Sequence, residues 1–433
     1  MENEVSAAPL VSSKKSINKL SSFFTQDIEL KSFRLCLNCV CLDQSNIWRA
    51  ALSWSIFFLL AIGVPLISHF LLLCADCDSK HQRPYDAVVQ LSLSTFAIIS
   101  FFTLSSWSHK YGFDKFLFLD KLQHEDHTIS RRYKQQLQKS MMLLCNFVLP
   151  CFAVESAYRI WWYVTGTTQI PYFKNEFLSD TVVCILQLSS WVYRLSIYIF
   201  VCIIYRLICF LQILRLEDFA QVFQKESDVS SILKEHLRIR RNLRVISHRF
   251  RRFIFLSLIL VTASQLMSLL VTTRSSANNN IFEAGELLLC SINLVTGLLI
   301  CLRSAAKVTH KAQSITSLAA KWHVGATINS YDDMEGETPT NQSACSGQVD
   351  IDWVLDDEDD DRDEDLDSSI KMVFFAQTIS VQKRQALVTY MENNKAGMTL
   401  YGSMMDRTWL HTIFGVELAL LLWFLNKTIM NWT

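Results

Sequence analysis

Several ionisable residues sit inside apolar runs, where an unpaired charge is most costly, and four of them stand out. Glu155 and Arg159 lie in one run, Arg194 in the next, and Glu417 near the middle of the last. Charges in such places pair with one another or line a cavity or ion path. The four-residue spacing stacks Glu155 and Arg159 on one helical face, with Trp162 just beyond. Arg194 keeps similar company in Tyr193 and Tyr198. These six residues can form the wall of a ligand pocket. They can equally be a structural ion pair, Glu155 with Arg159 or with Arg194, beneath an interfacial aromatic belt. Glu417 admits three roles: partner of a buried cation, proton-coupled carboxylate, or one member of an acidic ring in a pore shared by several copies. Ile413, Val416, Leu420 and Trp423 complete the stripe that Glu417 flanks.

Other chemistry finds little support. His124 and His127 make a single H-x-x-H, too few ligands for a membrane di-iron site, and read as surface histidines. H-E-x-x-H, G-x-S-x-G and P-loop motifs are lacking. Cys36, Cys39 and Cys41 ("CLNCVC") suit reversible acylation or stay as free thiols, and a metal site there wants a fourth ligand. Cys74 and Cys77 are the one pair placed for oxidation. The expectation is a protein without catalytic or metal-binding residues, without a cofactor and without a nucleic-acid partner.

The elements that carry these residues follow from composition. Half of the residues are apolar and 19% are charged, and the apolar residues come in blocks. About 20 apolar residues span a bilayer as a helix. Runs at 47–74, 88–107, 141–164, 182–214, 253–271, 284–302 and 409–425 meet that need, and none alternates as barrel strands do. The fold class is therefore an all-α polytopic membrane protein with seven transmembrane helices. The N-terminal residues lack the apolar core of a cleaved signal peptide. Lys and Arg crowd the N-terminal region and the connections after the second and fourth runs, and are sparse in the alternate connections. The bias puts the N-terminus in the cytosol and, after seven crossings, the C-terminus outside.

The connections divide the chain further. Residues 1–46 form a cytosolic N-terminal region, and 47–322 hold six spans with cytosolic helical extensions. The extensions are predicted because the fourth run exceeds a bilayer's thickness, and because 230–255 and 116–139 keep helical spacing. Residues 323–368 read as a disordered insert, with twelve acidic residues between Asp350 and Asp367 that repel one another. Residues 369–396 read as a cytosolic helix. Gly397 and Gly402 then suit a turn into the last, pore-lining span within 397–433.

Architecture and the C-terminal pattern together resemble the plant gustatory-receptor-like proteins, distant relatives of insect gustatory and odorant receptors. The insect pattern there is a Gly turn, a helix, Thr-Tyr, five apolar residues and Gln-Phe. This chain has Val416-Glu417, the apolar Leu418 to Leu422, and Trp423-Phe424. The resemblance implies a homotetramer whose seventh spans line a cation pore, with Leu420 at the apolar gate and Trp423 where Gln stands. It also implies an outer-half pocket for a small molecule, here of unknown identity. The expected partners are the lipid bilayer, further copies of the chain, that ligand, and monovalent or divalent cations. The plasma membrane is the expected location. The alternative is a non-conducting membrane scaffold or signalling protein acting through its cytosolic helices and acidic insert. A proton-coupled transporter ranks below both, because no internal repeat is visible.

Overall fold

The computed structural model describes residues 47–71, 86–111, 127–165, 176–225, 229–274, 281–332, 349–350, 371–372 and 381–430. Its helical elements are α1 (Ile47–Phe57), a π-helical turn (Phe58–Gly63), α2 (Val64–Leu71), α3 (Asp86–Tyr111), α4 (His127–Thr165), α5 (Glu176–Lys225), α6 (Val229–Arg274), α7 (Ile281–Asp332), α8 (Val381–Asn393) and α9 (Arg407–Met430). Two short antiparallel ladders complete it, β1 (Val349–Asp350) with β2 (Lys371–Met372) and β3 (Thr399–Leu400) with β4 (Ser403–Met404). The described residues are nearly all helical, and among them six helical stretches are long and apolar enough to cross a membrane. It is a multi-pass helical membrane protein.

The chain divides into two compact units. Unit 1 takes in Met1–Leu211, Phe250–Ser304 and Thr408–Thr433, and unit 2 takes in Gln212–Arg249 and Ala305–Arg407. Within unit 1, α5 is the hub. Its residues are apolar on every side, and a helix of that kind must be surrounded. Leu195, Ile197 and the run Ile199–Ile204 are accordingly buried to 1% exposure or less. Phe57 of α1 stacks on Phe101 of α3 at 4.1 Å, and Trp54 meets Phe101 edge-on.

Unit 2 has its own core. Phe219 and Phe223 of α5, Ile232 and Leu243 of α6, Val308, Ile315 and Trp322 of α7, and Leu387 and Met391 of α8 are all buried. The segment after α8 is tied down by polar groups of two other helices. Ser247 Oγ accepts from the Thr399 amide at 3.0 Å, and Thr309 Oγ1 accepts from the Met398 amide at 3.1 Å. Gly397 suits that approach, since a Cβ there would fall 3.0 Å from Thr309 Cγ2 and press on it.

The β3–β4 turn has positive φ at both central residues, Tyr401 (49°) and Gly402 (95°). This is the two-residue hairpin geometry that favours Asn-Gly. Tyrosine gains nothing from a left-handed backbone, so Tyr401→Asn is expected to stabilise unit 2 by about 0.5–1 kcal/mol. A rise in the thermal midpoint of the purified protein checks this, and an unchanged or lower midpoint refutes it.

Two expected boundaries are corrected. Residues 369–396 do not form one helix: Lys371–Met372 is a strand and α8 begins only at Val381. The sequence Ile370-Lys371-Met372-Val373-Phe374-Phe375 is rich in β-branched and aromatic residues, which favour extended backbone. Conversely, α7 runs ten residues past Trp322 to Asp332, into the segment expected to be disordered. A helix already nucleated extends at low cost. The region 1–46 with Cys36, Cys39 and Cys41, the pair Cys74 and Cys77, His124, and most of the acidic insert lie outside the described residues.

Candidate functional site

The polar interior of unit 1 starts with one proline. Pro65 has no N–H, so the intrahelical bond that this position would give to a carbonyl four or five residues earlier is not made. The backbone widens here into the π-turn, in which the Val64 amide bonds to the carbonyl of Leu59. Next in that register come Leu60 and Ala61. Both carbonyls are satisfied by hydroxyls from other helices: Ser190 of α5 donates to Leu60 at 2.5 Å, and Ser94 of α3 donates to Ala61 at 2.9 Å. Arg194 holds this arrangement together. Its Nη1 donates to Ser94 Oγ at 3.2 Å and to the Gln90 carbonyl at 3.3 Å, and its Nε reaches the Ser190 carbonyl at 3.3 Å.

Beside it lies an ion cluster. Arg159 Nε donates to Glu155 Oε1 at 2.6 Å, Nη1 to Gln187 Oε1 at 2.7 Å, and Nη2 to Glu286 Oε1 at 2.9 Å. Gln187 Nε2 in turn donates to Ser68 Oγ of α2. Asp86, at the start of α3, accepts from Gln90 Nε2 at 3.1 Å and stands 3.7 Å from His69 Nδ1. The guanidinium of Arg159 thus meets two carboxylates and an amide with all its nitrogens engaged. That is the geometry in which a buried cation is tolerated.

The structure brings together the six residues singled out as a pocket wall within one buried region of unit 1. Glu155, Arg159, Trp162, Tyr193, Arg194 and Tyr198 are all under 9% exposed. Of the two pairings that the sequence leaves open, Glu155 pairs with Arg159. Arg194 bonds instead to neutral acceptors. Tyr198 donates its hydroxyl to the Leu294 carbonyl at 2.9 Å and packs edge-on against Phe96. Sequence reasoning missed Glu286, Asp86, Gln187 and Ser68. Glu286 was detectable as a third carboxylate inside an apolar run, but it stands two residues inside the run's boundary, where a charge looks interfacial. Among the described residues no group of three His, Cys, Asp or Glu is placed to hold a metal ion.

The five residues singled out on the last span do not share one face of α9. Glu417 is fully buried at 0% exposure, with no hydrogen-bond partner for either carboxylate oxygen among the described residues. Ile413 and Leu420, flanking it on the helix, are half-buried. Val416 and Trp423 are each 51% exposed. Turned away from Glu417 is a band of small residues, Thr408, Thr412, Gly415 and Ala419, all exposed. A Cβ added at Gly415 would meet nothing within 4 Å.

Comparison with known proteins follows this geometry. Among solved structures, the insect olfactory receptor OR5 from Machilis hrabei, determined in complex with eugenol, is similar at a TM-score of 0.49. That similarity has 12% sequence identity and covers 88% of this chain and 90% of that one. No curated protein is significantly similar in sequence. Residues 28–416 match the family described as "Protein of unknown function (DUF3537)", and the chain belongs to that family.

Proposed function

We propose that the protein is a homotetrameric, ligand-gated cation channel or chemoreceptor-like membrane protein, with no enzymatic activity, in the plasma membrane. The observation that carries this reading is the placement of α9. Of the described side chains on its 24-residue length, only Glu417 is fully buried, and the opposite side carries an exposed band of small and hydroxyl-bearing residues from Thr408 to Ala419, with Leu422 beyond it. Small residues let helices approach closely in a membrane, and one helix encloses a conduit only when copies surround an axis. Counting α9 gives seven crossings. The Lys and Arg bias then sets the N-terminus in the cytosol.

In this arrangement Thr408, Thr412, Gly415 and Ala419 face the axis, with Val416 and Trp423 at its margin and Leu420 behind them. Glu417 faces its own protomer, so the acidic-ring role passes to no residue of α9's described exposed face. The ligand site is the region around Arg194 and Arg159, where the π-turn of the first span meets α3 and α5.

Particle imaging of the full chain in lipid nanodiscs tests the proposal. The expected result is a four-fold ring with α9 at its axis, and a cation current that changes on Trp423→Ala. A monomer would refute the pore and favour the scaffold reading, in which unit 2 and the acidic insert recruit partners.

A further inference from the structure

The exposed side of α6 is a single stripe with two chemistries. At Lys234, Arg238, Arg241, Arg244 and Arg252 it is mostly basic, with Leu237 and Val245 among them, and from Phe255 through Ile259, Leu266 and Leu270 it is apolar. These positions recur at three and four residues, so they share one face, while Ile232, His236, Ile239, Leu243 and Ile246 are buried on the other. The apolar half is what a lipid-facing helix shows, which sets the hydrocarbon boundary near Phe255.

Lipid headgroups alone do not account for the basic half. The headgroup layer adds about 5–8 Å on each side of the hydrocarbon core. Along the helix, at about 1.5 Å per residue, Arg244 lies roughly 16 Å from Phe255, Arg241 about 21 Å and Lys234 about 31 Å. Attraction to an anionic surface fades within a Debye length of about 8 Å. Arg252 is in reach of headgroups, whereas Lys234, Arg238 and Arg241 are not. A face of this charge is complementary to an acidic partner in solution.

We propose that the chain's own acidic segment, Asp356–Asp367, docks on the basic face of α6 formed by Lys234, Arg238, Arg241 and Arg244. The segment holds ten carboxylates in twelve residues. Tethering places it within reach. β2 ends at Met372, nine residues before α8, and nine residues extend to about 30 Å. α8 itself lies against α6: Arg240 Nη1 donates to Asn394 Oδ1 at 3.0 Å, and the rings of His236 and Tyr390 meet at 6.0 Å. An intramolecular partner on so short a tether has an effective concentration on the order of millimolar, enough for a weak, diffuse charge contact to be populated. Arg238 is partly engaged by Glu235 at 3.3 Å, an exposed pair that a denser acidic partner can displace.

The test uses the full chain in phosphatidylcholine nanodiscs and zero-length carbodiimide coupling, which joins the Lys234 amine to a carboxylate only on contact. Mass spectrometry is expected to find Lys234 joined to the 356–367 peptide. The yield should fall about tenfold between roughly 50 and 500 mM salt, as screening of exposed charges requires. It should also fall in the triple variant Arg238→Glu, Arg241→Glu, Arg244→Glu. Acetylation of Lys234 should rise several-fold when the ten carboxylates are changed to amides. Coupling of Lys234 only to other segments, with acetylation unchanged, would overturn the proposal. So would protection that appears only when phosphatidylserine is added, which assigns the face to lipid. Links formed only between isotopically distinct copies would assign it to a neighbouring chain and overturn it as well.

Discussion

Arg159→Met is expected to destabilise unit 1 by about 3–5 kcal/mol, the usual consequence of removing one partner from a buried ion cluster. The wild-type guanidinium is 1% exposed and separates Glu155 from Glu286. Without it two buried carboxylates lose the cation that both of them bond to. The loss should appear as a lower thermal midpoint and a smaller folded fraction after membrane extraction. The triple change Arg159→Met, Glu155→Gln, Glu286→Gln removes the charges together and should recover most of the stability, because a complete ion cluster contributes far less than its broken fragments lose. If the single variant is as stable as wild type, the cluster is not structural. If only the triple variant retains stability and ligand-dependent current is lost in it, the cluster also serves the ligand site.

The helical character of the chain and the presence of intramembrane charges are legible in the sequence, because both follow from local patterns. Blocks of apolar residues give helices, and the four-residue spacing of Glu155 and Arg159 puts them on one face, while the choice between Arg159 and Arg194 as the partner of Glu155 stays open in the sequence. What is not legible depends on long-range contact. Nothing local says that the Ala61 and Leu60 carbonyls, in the turn before Pro65, meet Ser94 and Ser190, residues 29 and 125 positions beyond that proline. Glu286 joins Arg159 across 127 residues. The orientation of Glu417 is hidden for a related reason. A helix that is apolar nearly all round carries no periodic signal for which side meets its own protomer, so a stripe drawn through Glu417, Val416 and Trp423 mixes an inward residue with outward ones.

Gly297→Val is expected to disrupt the middle of unit 1 nearly as strongly. A Cβ at position 297 would fall 2.8 Å from Cζ and 2.9 Å from the hydroxyl of Tyr198, so the ring must leave its site. Moving it breaks the hydroxyl's bond to Leu294 and the edge contact with Phe96 at 4.9 Å. Overpacking of this kind costs about 1–3 kcal/mol, and a buried hydroxyl or carbonyl left without a partner adds about 1–3 kcal/mol. The measurement is thermal stability of the single variant beside the pair Gly297→Ala with Tyr198→Leu. Steric conflict predicts that Tyr198→Leu rescues Gly297→Ala, with a favourable coupling between the two sites. Additive losses would mean that Gly297 acts on the backbone instead. Rescue would also assign Tyr198, a residue that sequence alone offers as a pocket wall, to the packing between α5 and α7. A ligand in this region would then meet the Arg194 side of the site, where the π-turn already departs from regular helix.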